Sequence, residues 1–283
     1  VVKLLLEKGA DLSVASNDGW TPLNIASNNG HVEVVKVLVE KGANISVANN
    51  NGLTPLIAAS VNGHAEVVKL LLEKGADVSI TNNDGLTPLI VASANGHVEV
   101  IELLLGFPDI NVNKPDRSGR TALFFASRFG QHQAVQVLLS KSGINPDTGD
   151  WTGSTPLFAA VANGHLEVVE LLIAGGATVV KQDGVGRDLI WWAWRTGNPQ
   201  IPQLLVQHAE RVGSHMPHDP TPNHAISTPF DPKAAWCDAC TLSIREGCGY
   251  FCSGCDNGGF GLCAECFDGG IRCREDSHVL VLR

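Results

Sequence analysis

The chain holds eight cysteines in 283 residues, and all of them fall between Cys237 and Cys273. Six form Cys-x-x-Cys pairs, Cys237/Cys240, Cys252/Cys255 and Cys263/Cys266, and Cys273 and His278 follow. A tight turn between paired cysteines aims two thiolates to one side, and such pairs converge on the tetrahedral coordination that zinc prefers. The spacing suits structural zinc, with Cys273 and His278 as further candidate ligands. Cys248 is left over as a thiol, or replaces Cys252 or Cys255 if the loop folds differently. A stretch this short buries little core, so the metal would supply most of its folding free energy, on the order of 10 kcal/mol per site. Four disulfides are the competing account of eight cysteines.

Other chemistry is harder to find. His31, His64, His97 and His165 are each followed two residues later by glutamate, superficially the His-x-Glu of zinc deaminases. The Pro-Cys-x-x-Cys that must accompany it is missing at that spacing, and each glutamate falls on an exposed helix face, so the histidines read as structural. The chain has no P-loop, Gly-x-Ser-x-Gly or His-Glu-x-x-His. No catalytic residue is expected, and the chain reads as non-enzymatic. Its formal charge of −9 argues against neutralising phosphates, so a protein or peptide partner is expected rather than nucleic acid. No apolar run approaches the ~20 residues that span a bilayer, and the N-terminus lacks a signal peptide's features, so no membrane partner is expected.

The elements that would position these groups show themselves as repeats. Gly19, Gly52, Gly85, Gly119, Gly153 and Gly186 recur every 33 or 34 residues, and Gly30, Gly63, Gly96, Gly130, Gly164 and Gly197 run in phase with them. Between the two series stands Thr-Pro-Leu, at Thr21-Pro22-Leu23, Thr54-Pro55-Leu56, Thr87-Pro88-Leu89 and Thr155-Pro156-Leu157. Threonine caps a helix there and proline takes its first position. A second helix follows each inner glycine, as in Val32 to Val39, with apolar residues at helical spacing, and Lys41-Gly42 closes it. Val1 to Asp11 recurs unchanged at Val67 to Asp77, so the sequence opens inside a repeat and the native chain is expected to continue upstream.

Period, Thr-Pro-Leu, Gly-His and Gly-Ala-Asp/Asn together resemble the ankyrin family over residues 1–210. The resemblance implies a mainly α fold, a solenoid of helix pairs with projecting turns, with a partial first repeat at 1–17 and repeats starting near 18, 51, 84, 118, 152 and 185. The histidine that the family places after Thr-Pro-Leu is replaced by Asn24, Ile57, Ile90, Phe124, Phe158 or Trp191, so the usual Thr–His hydrogen bond is absent and packing is expected to substitute. In the last repeat Asp188-Leu189 replaces Thr-Pro, and Trp191, Trp192 and Trp194 crowd one short helix as a cap or a docking face. The family binds partners on its concave face, which maps here to turn residues Trp20, Leu53, Leu86, Arg120 and Ser154 and, beside them, Asn28, Asn62, Asn95, Arg128 and Phe129. Trp and Arg are favoured anchors of such interfaces.

Prolines accumulate from 211 to 235, which suits an extended linker. Residues 236–283 resemble the ZZ-type zinc finger, a small cross-braced module with short β-strands. That resemblance implies one site of Cys237, Cys240, Cys263 and Cys266 and another of Cys252, Cys255, Cys273 and His278, with Cys273 standing where the family has histidine. Asp238, in Cys-Asp-x-Cys, is where some members take a peptide end, although Gly259-Phe260-Gly261-Leu262-Cys263 lacks two of the family's acids. A RING-type ubiquitin ligase is the enzymatic alternative, opposed by the missing histidine before the third pair. Fungal proteins of the NOD-like receptor kind end in a similar arrangement, which makes a ligand-sensing tail a third reading. Repeats of this kind and paired cysteines imply an intracellular, cytoplasmic protein with zinc rather than disulfides.

Overall fold

The computed structural model describes residues 2–182 and 188–214, and the backbone of three strands at 249–252, 260–263 and 280–282. The expected zinc ligands Cys237, Cys240, Cys255, Cys266, Cys273 and His278, with Asp238, Cys248 and the linker from 215 onward, lie outside the described residues. The helices are α1 Val2–Glu7, α2 Pro22–Asn28, α3 Val32–Glu40, α4 Pro55–Val61, α5 Ala65–Glu73, α6 Pro88–Asn95, α7 Val98–Leu105, α8 Ala122–Arg128, α9 His132–Ser140, α10 Pro156–Ala162, α11 Leu166–Ala174, α12 Leu189–Arg195 and α13 Gln200–Arg211. The chain forms two compact units. The first comprises Val1–Arg117, Thr121–Ala126 and Gln136–Ile144, and the second Ser118–Arg120, Ser127–Val135 and Asn145–Arg283.

Each inner helix begins where the sequence says it should. Thr54, Thr87 and Thr155 have extended backbones, and the side chain of each accepts a hydrogen bond from the amide three residues on, with proline at the first helical position. Burying a helix terminus is tolerable only when its free amides are satisfied in this way. In the last repeat Asp188 takes the same role, its Oδ1 accepting from Trp191 N at 2.8 Å.

Inside the first unit α2, α4 and α6 pack side by side as an inner row, α3, α5 and α7 as an outer row, and each inner helix packs on its outer partner. Leu56, Ile57, Ala58 and Ala59 of α4 meet Val67, Val68 and Leu71 of α5 in an interior from which all seven are excluded from solvent. Each larger aliphatic buried there contributes about 1.5–3 kcal/mol. Glu66, Lys69 and Glu73 occupy the opposite, exposed face of α5. In the second unit α10, buried along its whole length, packs on α11 and α12, and α13 covers α11 and α12.

Histidines fasten neighbouring repeats. His64 Nε2 lies 3.0 Å from Asn28 O and His97 Nε2 lies 2.9 Å from Val61 O, while in the second unit His165 Nε2 lies 3.0 Å from Arg128 O. The imidazole of His97 sits against Gly63, where an added Cβ would fall 2.5 Å from Nδ1 on a backbone already at φ +73°. Glycine is therefore required twice over, for the left-handed turn and for the ring of the next repeat.

Packing replaces the missing hydrogen bond where Ile57, Ile90 and Phe124 stand, all at most 1% exposed. Asn24 departs from that expectation. Its Oδ1 accepts from Thr21 Oγ1 at 2.6 Å and from Thr21 N at 3.2 Å, and its Nδ2 donates to Val47 O and Leu53 O, both at 3.1 Å. A buried amide thus restores a polar network where hydrophobic substitution was expected.

Strands β1 Gly249–Cys252, β2 Phe260–Cys263 and β3 Leu280–Leu282 form an antiparallel sheet in the order β2-β1-β3. Gly249 pairs with Cys263 and Cys252 with Phe260.

Candidate partner-binding surface

Every repeat of the first unit projects a turn closed by a backbone hydrogen bond, from Ser16 N to Trp20 O, Asn49 N to Leu53 O and Asn82 N to Leu86 O. The first residue of each turn also braces it from the side. Asn82 Oδ1 accepts from Asp84 N at 3.0 Å and Leu86 N at 2.9 Å, and Asn49 Oδ1 does the same for Asn51 N and Leu53 N. Such side-chain acceptance by Asn and Asp imitates a backbone turn and explains their abundance here.

The turns are also tied to one another. Asn50 N donates to Asp18 O and Asn83 N to Asn51 O, while Asn50 Nδ2 reaches Asn17 O at 3.1 Å and Asn83 Nδ2 reaches Asn50 O at 2.8 Å. The second residue of the later two turns, Asn50 and Asn83, is thereby spent on its neighbour. The third, Asp18, Asn51 or Asp84, is exposed. The fifth, Trp20, Leu53 or Leu86, is half-buried in every case, forming an apolar row just inside the exposed tips.

Behind the turns, α2, α4 and α6 carry no charged side chain. Asn62 and Asn95 are exposed at their ends and Asn28 is half-buried. Asn62 Nδ2 donates to Ala58 O and Asn28 Oδ1, and Asn95 Nδ2 to Val91 O, so these amides hold the helix ends through their donors. Ile25, which no sequence pattern singles out, is 47% exposed on α2.

In the second unit the turn closes from Asp150 N to Ser154 O, and Trp151 at its tip is exposed. Arg120 and Phe129 are half-buried and Ser154 is buried. Arg128 has to be corrected: expected on the exposed face, it is 1% exposed and belongs to the interior. As the last residue of α8 it brings positive charge to a helix C-terminus, where the dipole favours it, and a guanidinium at that depth is structural rather than an anchor for a partner. The tryptophans of α12 divide. Trp192 is buried, Trp191 stacks beneath Arg195 with its ring centre 4.5 Å from the guanidinium carbon, and Trp194 is 47% exposed. One tryptophan of the cluster thus serves the core and another faces outward.

Burial pushes the Asp150 carboxyl up to about 6, against hydrogen bonds from Thr152 and Ser154 and the charge of Arg120 that work in the opposite direction. His165 is held below the usual imidazole range by burial, partly offset by its bond to Arg128 O. Among the described residues no group of His, Cys, Asp or Glu is arranged to hold a metal ion, and no helix is long and apolar enough to cross a membrane. Of the expected zinc ligands, Cys252 and Cys263 fall on described backbone, at the last positions of β1 and β2.

Capped inner helices, paired outer helices and a ladder of stacked turns define a helical repeat protein whose exposed turns and inner helices form a surface for other molecules. The chain belongs to the ankyrin-repeat family: the family described as Ankyrin repeats (3 copies) matches it over residues 1–82, 75–150 and 142–216. The crystal structure of the human ASB11 ankyrin repeat domain is similar, at 30% identity and a TM-score of 0.65, covering 73% of this chain and 90% of that one. No curated protein matches. Ankyrin-repeat domains are in general modules of protein–protein interaction rather than catalysts, and the mainly helical fold seen here is theirs.

Proposed function

We propose that the chain is a non-enzymatic scaffold that binds a protein or peptide on the turns and inner helices of its first unit, with a two-zinc module at its C-terminal end. The observation that carries this reading is the apolar row Trp20, Leu53 and Leu86, left half-accessible beside three inner helices that present no charge. A large amphipathic side chain such as Trp20 supplies contact area at small entropic cost, which is why tryptophan is enriched where binding energy concentrates. The overall charge of −9 favours a protein partner over nucleic acid.

The zinc assignment finds support in the strand register. Cys252 pairs with Phe260 and Cys263 with Gly249, which sets the two cysteines at opposite ends of the paired segment, roughly 10 Å apart along the strands. That separation suits membership of two different sites, as the cross-braced arrangement requires. Bound thiolates also suit a reducing compartment, and we place the protein inside the cell, in the cytoplasm. Elemental analysis of the purified chain should find two zinc ions per molecule; their absence together with the absence of free thiols would mean disulfides. Asp238→Ala should weaken binding of a peptide N-terminus if the module takes one, and unchanged affinity would remove that role.

The binding surface is tested by selecting peptides from a random displayed library on the intact chain and mapping their footprint by amide hydrogen exchange. Protection is expected in the turns at 16–20, 49–53 and 82–86. Protection confined to the outer helices α3, α5 and α7 would contradict the reading.

A further inference from the structure

The third position of the turns makes a row of its own in the first unit. Asp18, Asn51 and Asp84 are exposed in three successive repeats, and none of their side chains is used to build the turns: the bracing falls to the first position and the bridging to the second. The row therefore presents carboxylate, amide oxygen and carboxylate outward, next to the apolar row of Trp20, Leu53 and Leu86. The inner helices behind add no charge of either sign, and the first basic side chain of the turns is Arg117, where the acidic row ends.

We infer that this surface binds an extended peptide segment carrying two cationic side chains five or six residues apart, with apolar side chains between them. The inference rests on the binding surface proposed above and names the chemistry of its partner. Spacing follows from the repeats. Neighbouring inner helices pack at about 8–10 Å, so two steps set Asp18 and Asp84 roughly 16–20 Å apart. An extended chain covers about 3.3 Å per residue, which spans that gap in roughly five or six residues. Each carboxylate pairs with one cation, the amide of Asn51 accepts from the backbone or a polar group between them, and Leu53 and Leu86 receive the apolar side chains. Charge complementarity of this kind decides partner choice and association rate more than raw affinity.

The experiment uses three fluorescein-labelled peptides and the intact chain, read by fluorescence anisotropy at low salt. The first has arginines at positions one and seven with alternating alanine and leucine between; the second has glutamates in place of both arginines; the third has its arginines three residues apart. The first should bind most tightly. Asp18→Asn with Asp84→Asn, which removes charge at exposed sites and keeps shape, should weaken it about tenfold, and each single change about threefold. Asn51→Asp should tighten it a few-fold, and added salt should abolish these differences. A melting curve equal to that of the parent chain shows that each variant is folded. Equal affinity for the glutamate peptide, no binding of the first peptide, or an unchanged affinity in the double variant would overturn the inference. Library peptides that protect the turns yet lack paired cations would also overturn it, while leaving the proposed surface standing.

Discussion

The turn at 82–86 and the turn at 150–154 are braced by the same geometry and opposite chemistry. In the first unit Asn82 Oδ1 accepts from two backbone amides at 3.0 and 2.9 Å; in the second unit Asp150 Oδ1 accepts from Thr152 N at 2.9 Å and Ser154 N at 3.0 Å, with Thr152 Oγ1 at 2.7 Å. An amide makes these bonds without a charge to desolvate. The carboxylate makes them too, but its Oδ2 is buried with no hydrogen-bond partner among the described residues, and its pKa rises to about 6. Hydrogen-bond geometry alone therefore does not distinguish a comfortable turn from a costly one; the fate of the second oxygen does.

The largest difference between the two units is expected at the glycines that let turns stack. In the first unit a Cβ on Gly52 would fall 2.6 Å from both Asn83 N and Asn83 Oδ1 at φ +78°, whereas in the second unit one on Gly119 would lie 3.1 Å from Asp150 Cα and Trp151 N at φ +86°. Both substitutions incur about 1–2 kcal/mol for the left-handed backbone, and Gly52→Ala adds a backbone collision, for about 3 kcal/mol or more in total. Urea midpoints should fall further for Gly52→Ala than for Gly119→Ala. Gly42, with φ +90° and open space around it, should show the backbone penalty alone.

Next in size is the carboxylate itself. The folded state holds a proton on Asp150 up to about pH 6, while the unfolded chain releases it near 3.8. Between those values the folded state binds more protons, so the contribution is fully present below pH 3.8 and is lost as pH rises through 6. At neutral pH the deprotonated group costs on the order of 2–3 kcal/mol. Asp150→Asn, which copies Asn82, should recover most of that at pH 7 and little at pH 4, as read from thermal midpoints across the range. His165 acts in the opposite sense: its stabilising neutral state is present above the ordinary imidazole range and is lost as pH falls through its lowered value.

Helix caps should give the smallest effect. Asp188 accepts from Trp191 N at 2.8 Å and carries charge suited to a helix N-terminus; Thr54 accepts from Ile57 N at 3.4 Å and carries none. Asp188→Ala should cost about 1–2 kcal/mol and Thr54→Ala about 1 kcal/mol or less, measured by denaturant unfolding.

The repeats were legible because a covalent period leaves a one-dimensional trace. Gly63 must be glycine whatever its neighbours are, so its spacing shows in the sequence. What the side chains do across repeats is less legible. The amides of Asn50 and Asn83 bridge to carbonyls 33 residues back, a partnership that no local pattern announces. Asn24 read as a lost hydrogen bond because its acceptor role toward Thr21 was assigned to histidine alone. Arg128 read as exposed because the family's concave face maps onto the end of its helix, and only tertiary packing shows it to be 1% exposed. Ile25 was missed because an isolated apolar residue on an apolar helix looks like core. The matching positions Ala58 of α4 and Val91 of α6 are apolar and buried, so the pattern itself gave no sign that Ile25 is 47% exposed.

The most direct test of the account is a calorimetric titration of one library-selected peptide into the intact chain and into the variant carrying Trp20→Ala, Leu53→Ala and Leu86→Ala, with folding of the variant checked by its melting curve. A loss of affinity of at least about tenfold, the usual consequence of removing a central aromatic anchor, is the predicted result. An unchanged dissociation constant in a folded variant would contradict the claim that this surface binds the partner.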